Sequence, residues 1–328
     1  MRYLLLCLLV VLVPGSGRAA DITVVSSATL TVHEIERGAC SLTLRGQIET
    51  GDAQRLLGLL SSRFPLAHDE TNPAICLDSP GGSLAEAVEI AKVLGDHFTA
   101  TVVPSGAECL SACAVVFMGG TFGWYEYIFN LRVMHPEARI GFHAPALNIA
   151  DGTYQADSVK LAFDVAVDAI ARIAGDLDET YLTGAINRFP RSLLAAMLVH
   201  RGERYLWIDT IEKAGAWDIW VTTEQRPTLD HPTLTRSCKA AARWMSDSPK
   251  MRFDAEDWEL VGEFGQVTGG GDKWRVEYGE LFVVICDVER LDGGGLSLRL
   301  TRDDVDLGQL HLRPWMAFPP DMPLAALR

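Results

Sequence analysis

Three short segments of the chain hold the residue types that acyl-transfer chemistry needs: residues 75–83 (ICLDSPGGS), 108–119 (ECLSACAVVFMG) and 139–145 (RIGFHAP). In the first, Gly81 and Gly82 have no Cβ, so the backbone of this turn can approach a ligand closely and aim N–H groups at a developing oxyanion. In the second, Ser111 opens a run of small apolar residues. A serine hydroxyl is a poor nucleophile until a base takes its proton. In the third, His143, 32 positions after Ser111, is the side chain suited to that task near neutral pH. Taken singly, each feature has an ordinary structural meaning: Ser-Pro-Gly-Gly is a common turn, a serine between cysteines packs in cores, and a lone histidine is usually structural. Their occurrence in this order, each at a predicted strand or turn, is what favours chemistry.

The elements that must position these residues are legible as periodicity. Residues 39–47 alternate apolar and polar side chains like a strand, and 50–64 follow with Leu56, Leu57, Leu59 and Leu60 on a helical face. The pattern repeats with a short apolar strand at 74–77, the Ser-Pro-Gly-Gly turn, an amphipathic helix over 84–97 and a strand over 99–103. Strands alternating with helices imply a largely parallel sheet with helices packed on it. Residues 111–118 suit a buried helix or a strand, which periodicity alone does not separate. Residues 119–129, with Phe122, Trp124, Tyr125, Tyr127 and Phe129, read as an irregular loop whose aromatics pack locally or line a groove. Helices are expected over 158–175 and from Pro190 to about 199, and 205–221 reads as strand, short helix and strand. The polar stretch 223–235, with two prolines, reads as a linker. Beyond it, residues 274–288 and 296–312 alternate apolar and polar side chains, with glycines at 269–271 and 293–295 as turns, which predicts a small β-rich domain over 236–328.

The order and spacing of the three segments resemble the Clp protease-like (ClpP/crotonase) superfamily, over residues 39–222. The resemblance implies an α/β fold, a ClpP/crotonase-like spiral of β-β-α units, with the small β-rich C-terminal domain appended and residues 21–38 as an N-terminal extension. It implies a serine hydrolase, a peptidase, acting on a peptide or protein substrate, with Ser111 as nucleophile, His143 as general base and an oxyanion hole drawn from Gly81, Gly82 and the amide of Ala112. It also implies homo-oligomers, which are common among such proteins. The third member of a triad is where the pattern departs. Residues 212–218 (EKAGAWD) resemble the family's Glu-x-x-x-Gly-Leu-x-Asp element, and aligning there sets Val199, His200 or Arg201 at the acid position, where no carboxylate stands. Glu203 is nearby, and Asp164 or Asp168 offers a substitute. A catalytically inactive binding or scaffold protein is therefore the alternative. Lys160 is the only lysine suitably placed for a serine–lysine pair, and it falls on a predicted exposed face.

The chain opens with Arg2, an apolar run to Pro14 and small residues up to Ala20, the pattern of a secretory signal peptide over 1–20 cleaved after Ala19 or Ala20. That places the protein in the periplasm or outside the cell, with no membrane span after the leader is removed. With 29 basic against 43 acidic residues and a formal net charge of −14, it repels phosphate backbones, so no nucleic-acid partner is expected. Scattered histidines and the absence of C-x-x-C or H-E-x-x-H predict no metal, and no phosphate-loop or dinucleotide fingerprint points to a cofactor. Outside the leader stand Cys40, Cys76, Cys109, Cys113, Cys238 and Cys286. Cys238 and Cys286 are the pair expected to bond, with two buried free thiols the alternative. Cys109 and Cys113 are expected reduced, because i, i+4 on a regular helix holds the sulfurs too far apart.

Overall fold

The computed structural model describes residues 19–64, 70–125, 127–145, 152–176, 178–181, 184–187, 189–202, 204–245, 265–279 and 284–328, and positions 1–18 of the expected leader lie outside these. The fold is mixed α/β with a C-terminal antiparallel sheet, and eight α-helices occur among the described residues. None of these helices is long and apolar enough to cross a membrane.

A six-stranded sheet runs in the order Asp21–Val24, Leu42–Arg45, Ala74–Asp78, Ala100–Val103, Arg132–Met134, Trp220–Val221. Its first pair is antiparallel and the rest are parallel. Ala100–Val103 (ATVV) is buried at every position, as a strand covered on both faces must be. One face holds Leu42, Leu44, Ile75, Leu77 and Val103 in the main core, and the other holds Ala74, Ala100, Val102 and Val133 in a second cluster with Ile35, Phe122 and Leu131. The predicted N-terminal extension thus supplies the sheet's edge strand. Ala20, at the expected cleavage point, is fully buried, and its carbonyl accepts from Arg55 Nη2 at 2.8 Å.

A three-stranded sheet, Leu206–Trp207, Arg139–Phe142, Glu108–Leu110, stands beside the first. The chain alternates between the two. Ala100–Val103 in the large sheet leads to Glu108–Leu110 in the small one and then to the helix Ala112–Met118; Arg132–Met134 leads in the same way to Arg139–Phe142 and the helix Ala156–Asp176. Residues 112–118 are helical and every side chain is buried, which resolves the helix-or-strand ambiguity of that segment. The Ala156–Asp176 helix buries few of its apolar side chains. Ala169 and Ile173 are buried, whereas Val159, Leu161, Phe163, Val165 and Val167 are exposed.

Three expectations change. Residues 119–129 are not an irregular loop: Thr121–Trp124 and Tyr127–Asn130 form a hairpin in which Phe122 faces Phe129, their rings 5.5 Å apart. Phe129 in turn stacks on Trp220 at 6.4 Å, so these aromatics fill core, and Trp124, Tyr125 and Tyr127 are the ones left exposed. The predicted linker 223–235 ends in helix, because His231–Met245 starts within it and continues into the expected β-rich region. The local cause is Asp230, whose carboxylate accepts the Thr233 amide at 3.0 Å, with Pro232 in the first turn where its missing N–H is harmless. The remaining C-terminal part is a five-stranded antiparallel meander, Gln266–Gly270, Lys273–Tyr278, Val284–Arg290, Leu296–Arg302 and Val305–Leu312. Val284, Cys286, Val288, Leu298 and Leu300 point into the core, which is continuous with that of the first unit. Cys238 of the helix bonds Cys286 of the sheet, as expected, and a further bond joins Cys40 to Cys76.

The third change concerns Cys109 and Cys113, which form a disulfide with Cα atoms 5.1 Å apart. The two do not share a helix. Cys109 lies in the strand Glu108–Leu110, only Cys113 lies in the helix, and the chain turns sharply between them.

Candidate active site

That turn is made by Ser111, whose φ of 56° and ψ of −121° are outside the ordinary range for a residue with a Cβ. Such a conformation persists only where surrounding structure over-determines it. Here the Ser111 amide donates to Gly141 O at 2.9 Å, and the Cys109–Cys113 bond spans the turn. Both sulfurs belong to fully buried residues. Replacing both cysteines by serine is expected to lower the unfolding free energy by about 2 kcal/mol, the chain-entropy value for so short a closure, read from denaturant unfolding under non-reducing conditions.

The strand Arg139–Phe142 delivers His143 directly after its last residue. Its Nε2 lies 2.7 Å from Ser111 Oγ, so two side chains 32 positions apart in sequence meet in hydrogen-bond contact. Gly81 packs against the same turn. It is buried with φ 101°, and a Cβ there would stand 2.6 Å from Leu110 O, 2.8 Å from Ser111 Cβ and 3.0 Å from Ala112 N. Gly82, at φ 144°, is equally constrained, since a Cβ would lie 2.2 Å from Ile48 O. The Ile48 amide donates to Gly81 O and Ile48 O accepts from Ser83, locking this turn to the chain after the Leu42–Arg45 strand. The Gly81 amide itself donates to Ser79 Oγ at 3.1 Å. Among the described residues no hydrogen bond engages the amides of Gly82 or Ala112, so these two backbone donors are unengaged.

Among the described residues no carboxylate hydrogen-bonds the histidine. Its Nδ1 is buried and has no hydrogen-bond partner among the described residues. The position expected for the acid is indeed adjacent, because the Ala144 amide donates to His200 O at 2.7 Å, but Val199, His200 and Arg201 bring no acid there. Glu203 lies outside the described residues. Asp164 and Asp168 are exposed on the Ala156–Asp176 helix, as is Lys160.

What sequence reasoning missed is aromatic. Tyr205 stands against the imidazole, ring centroids 5.1 Å apart and planes at 89°, and Trp207 lies behind it at 5.0 Å. The available signal was Gly141, two residues before His143 on the same strand face. A Cβ at Gly141 would come within 2.9 Å of Tyr205 Cδ1 and 3.0 Å of Trp207 Cζ3.

No protein-family model matches the chain, and no curated protein matches it. Among the described residues no group of three or more histidine, cysteine or acidic side chains is arranged to hold a metal ion.

Proposed function

We propose that the protein is an exported serine hydrolase, a peptidase, in which Ser111 attacks a peptide or protein carbonyl and His143 is the general base. The observation that carries this is the 2.7 Å contact between His143 Nε2 and Ser111 Oγ at a backbone turn with φ 56°. In the reaction, Nε2 accepts the hydroxyl proton as Oγ bonds to the carbonyl carbon. The carbonyl oxygen takes up negative charge and receives the Gly82 and Ala112 amides. Collapse of the tetrahedral intermediate breaks the C–N bond, and the imidazolium returns its proton to the leaving amine. Water, activated by the same His143, then attacks the acyl ester and restores Ser111. The part-buried site supplies its donors pre-formed, without reorganisation at the moment of reaction.

The proposal includes the ClpP/crotonase-like spiral of β-β-α units for residues 39–222. Its support is the alternation of the chain between the six-stranded and three-stranded sheets, with a helix after each pair. Export is supported by the leader-like first residues and by three disulfides, which persist in oxidising compartments such as the periplasm or the outside of the cell. Self-association, implied by the same resemblance, fits the apolar residues left exposed along Ala156–Asp176.

A second reading, a catalytically inactive binding or scaffold protein on this fold, is favoured by one observation: among the described residues no acid hydrogen-bonds His143 Nδ1. The two readings separate in one experiment. Treatment of the purified protein with a fluorophosphonate probe, followed by peptide mapping, is expected to place a single covalent adduct on Ser111. Folded protein that takes up no probe would establish the scaffold reading instead.

A further inference from the structure

The geometry points to Tyr205 as the positioning residue of His143, a ring holding the imidazole where a carboxylate would otherwise do so; this rests on the serine-hydrolase reading of Ser111. Register sets the arrangement. Leu206–Trp207 runs antiparallel to Arg139–Phe142, with Gly141 opposite Trp207 and Phe142 opposite Leu206. One step further along the same ladder, Tyr205 faces His143, and the two rings meet at 5.1 Å and 89°. Perpendicular aromatic pairs at such separations are mutually attractive, and cross-strand neighbours on one face are where such pairs form.

Tyr205 is itself backed. Trp207 packs on it at 5.0 Å, the Arg139 guanidinium lies 4.4 Å from the Trp207 ring centroid, and Glu108 anchors Arg139 through a 2.5 Å contact. A stack of Glu108, Arg139, Trp207 and Tyr205 therefore ends on His143. Gly141 makes the stack possible, since any Cβ there would strike both Tyr205 and Trp207. The imidazole consequently has a fixed plane although its Nδ1 has no hydrogen-bond partner, and Nε2 is held 2.7 Å from Ser111 Oγ.

The test compares Tyr205→Phe, which keeps the ring, with Tyr205→Leu, which removes it. Two quantities are read: the second-order rate of fluorophosphonate labelling, and the His143 Cε1–Hε1 resonance in the imidazole spectrum, assigned by its loss in His143→Gln. Tyr205→Phe is expected to label within about 3-fold of wild type with the resonance unmoved. Tyr205→Leu is expected to label roughly 10- to 100-fold more slowly, the scale of a misplaced catalytic group, with the resonance shifted by loss of the neighbouring ring. Trp207→Leu, which leaves Tyr205 in place but unbacked, is expected to move both quantities in the same direction and serves if Tyr205→Leu does not fold. A wild-type labelling rate in Tyr205→Leu overturns the inference, as does a loss in Tyr205→Phe equal to that in Tyr205→Leu. If wild type takes up no probe, the hydrolase reading fails, and the order parameter of the His143 Cε1–Hε1 vector decides the positioning role: a drop in Tyr205→Leu but not in Tyr205→Phe supports it, and no drop refutes it.

Discussion

Replacement of His143 by alanine is expected to slow probe labelling at Ser111 by roughly 10²- to 10⁴-fold, the range that a positioned general base contributes, and Ser111→Ala to abolish it. The serine hydroxyl holds its proton far too tightly to react unaided, and His143 Nε2 is the basic atom in contact with it at 2.7 Å. Lys160 is exposed on the Ala156–Asp176 helix, which leaves no second base in the site as described. The fold should hardly register the change. His143 Nδ1 is buried without a partner, and removing an unsatisfied buried polar atom relieves a desolvation cost of order 1–3 kcal/mol, offsetting the packing lost with the ring. The informative result is therefore a collapse in labelling rate at nearly constant melting temperature. Labelling of His143→Ala at the wild-type rate would place the base elsewhere and remove the mechanism proposed above.

Gly81→Ala is expected to reduce labelling by about 10²-fold and to destabilise the protein by at least 2 kcal/mol. Two effects combine. At φ 101° an alanine accepts a conformation that L-residues disfavour by about 1–2 kcal/mol. Its methyl would also press on Leu110 O at 2.6 Å, Ser111 Cβ at 2.8 Å and Ala112 N at 3.0 Å. Two of these are backbone atoms of the turn that presents Ser111, and none is the free end of a flexible side chain, so relief comes by moving the nucleophile and the Ala112 amide together. Gly106→Ala is the matched control. Its φ is 73° with nothing within 4 Å of the added methyl, so it should show the conformational cost of about 1 kcal/mol and no change in labelling. Denaturant unfolding and labelling rates on the two variants separate backbone strain from displacement of the site. Equal labelling losses in both would remove the argument that Gly81 shapes the nucleophile turn.

Much of this protein is written in local pattern. Apolar periodicity placed the helices Asp52–Arg63 and Leu84–Asp96 and the strands Ala74–Asp78 and Ala100–Val103, because a period of 3.6 or 2 is a property of one segment and does not depend on its partners. The alternation over residues 274–288 and 296–312 likewise announced a β-rich C-terminal part. Ser111 and His143 were singled out by residue type and order, and they meet at 2.7 Å. The helix start at His231 was legible too, in Asp230 and Pro232, but two prolines in a polar stretch read more readily as linker.

What remained hidden depends on contacts between segments distant along the chain. The hairpin at 121–130 is stabilised by Phe122 against Phe129 and by Phe129 on Trp220, and the last of these enters only when Trp220–Val221 joins the large sheet. The Cys109–Cys113 bond follows from a break between strand and helix at Ser111, which periodicity placed no finer than a few residues. The Tyr205–Trp207–Arg139 stack against His143 is set by the pairing of Leu206–Trp207 with Arg139–Phe142. Shifting that register by one residue would turn Tyr205 to the opposite face of the sheet. Sequence by itself thus determined the strand–helix alternation over residues 39–103, the β-rich character of the C-terminal part and the two side chains of the candidate pair. Only the tertiary structure decided what holds the histidine, because local periodicity assigns a side chain to a face, and the register between strands selects its neighbour.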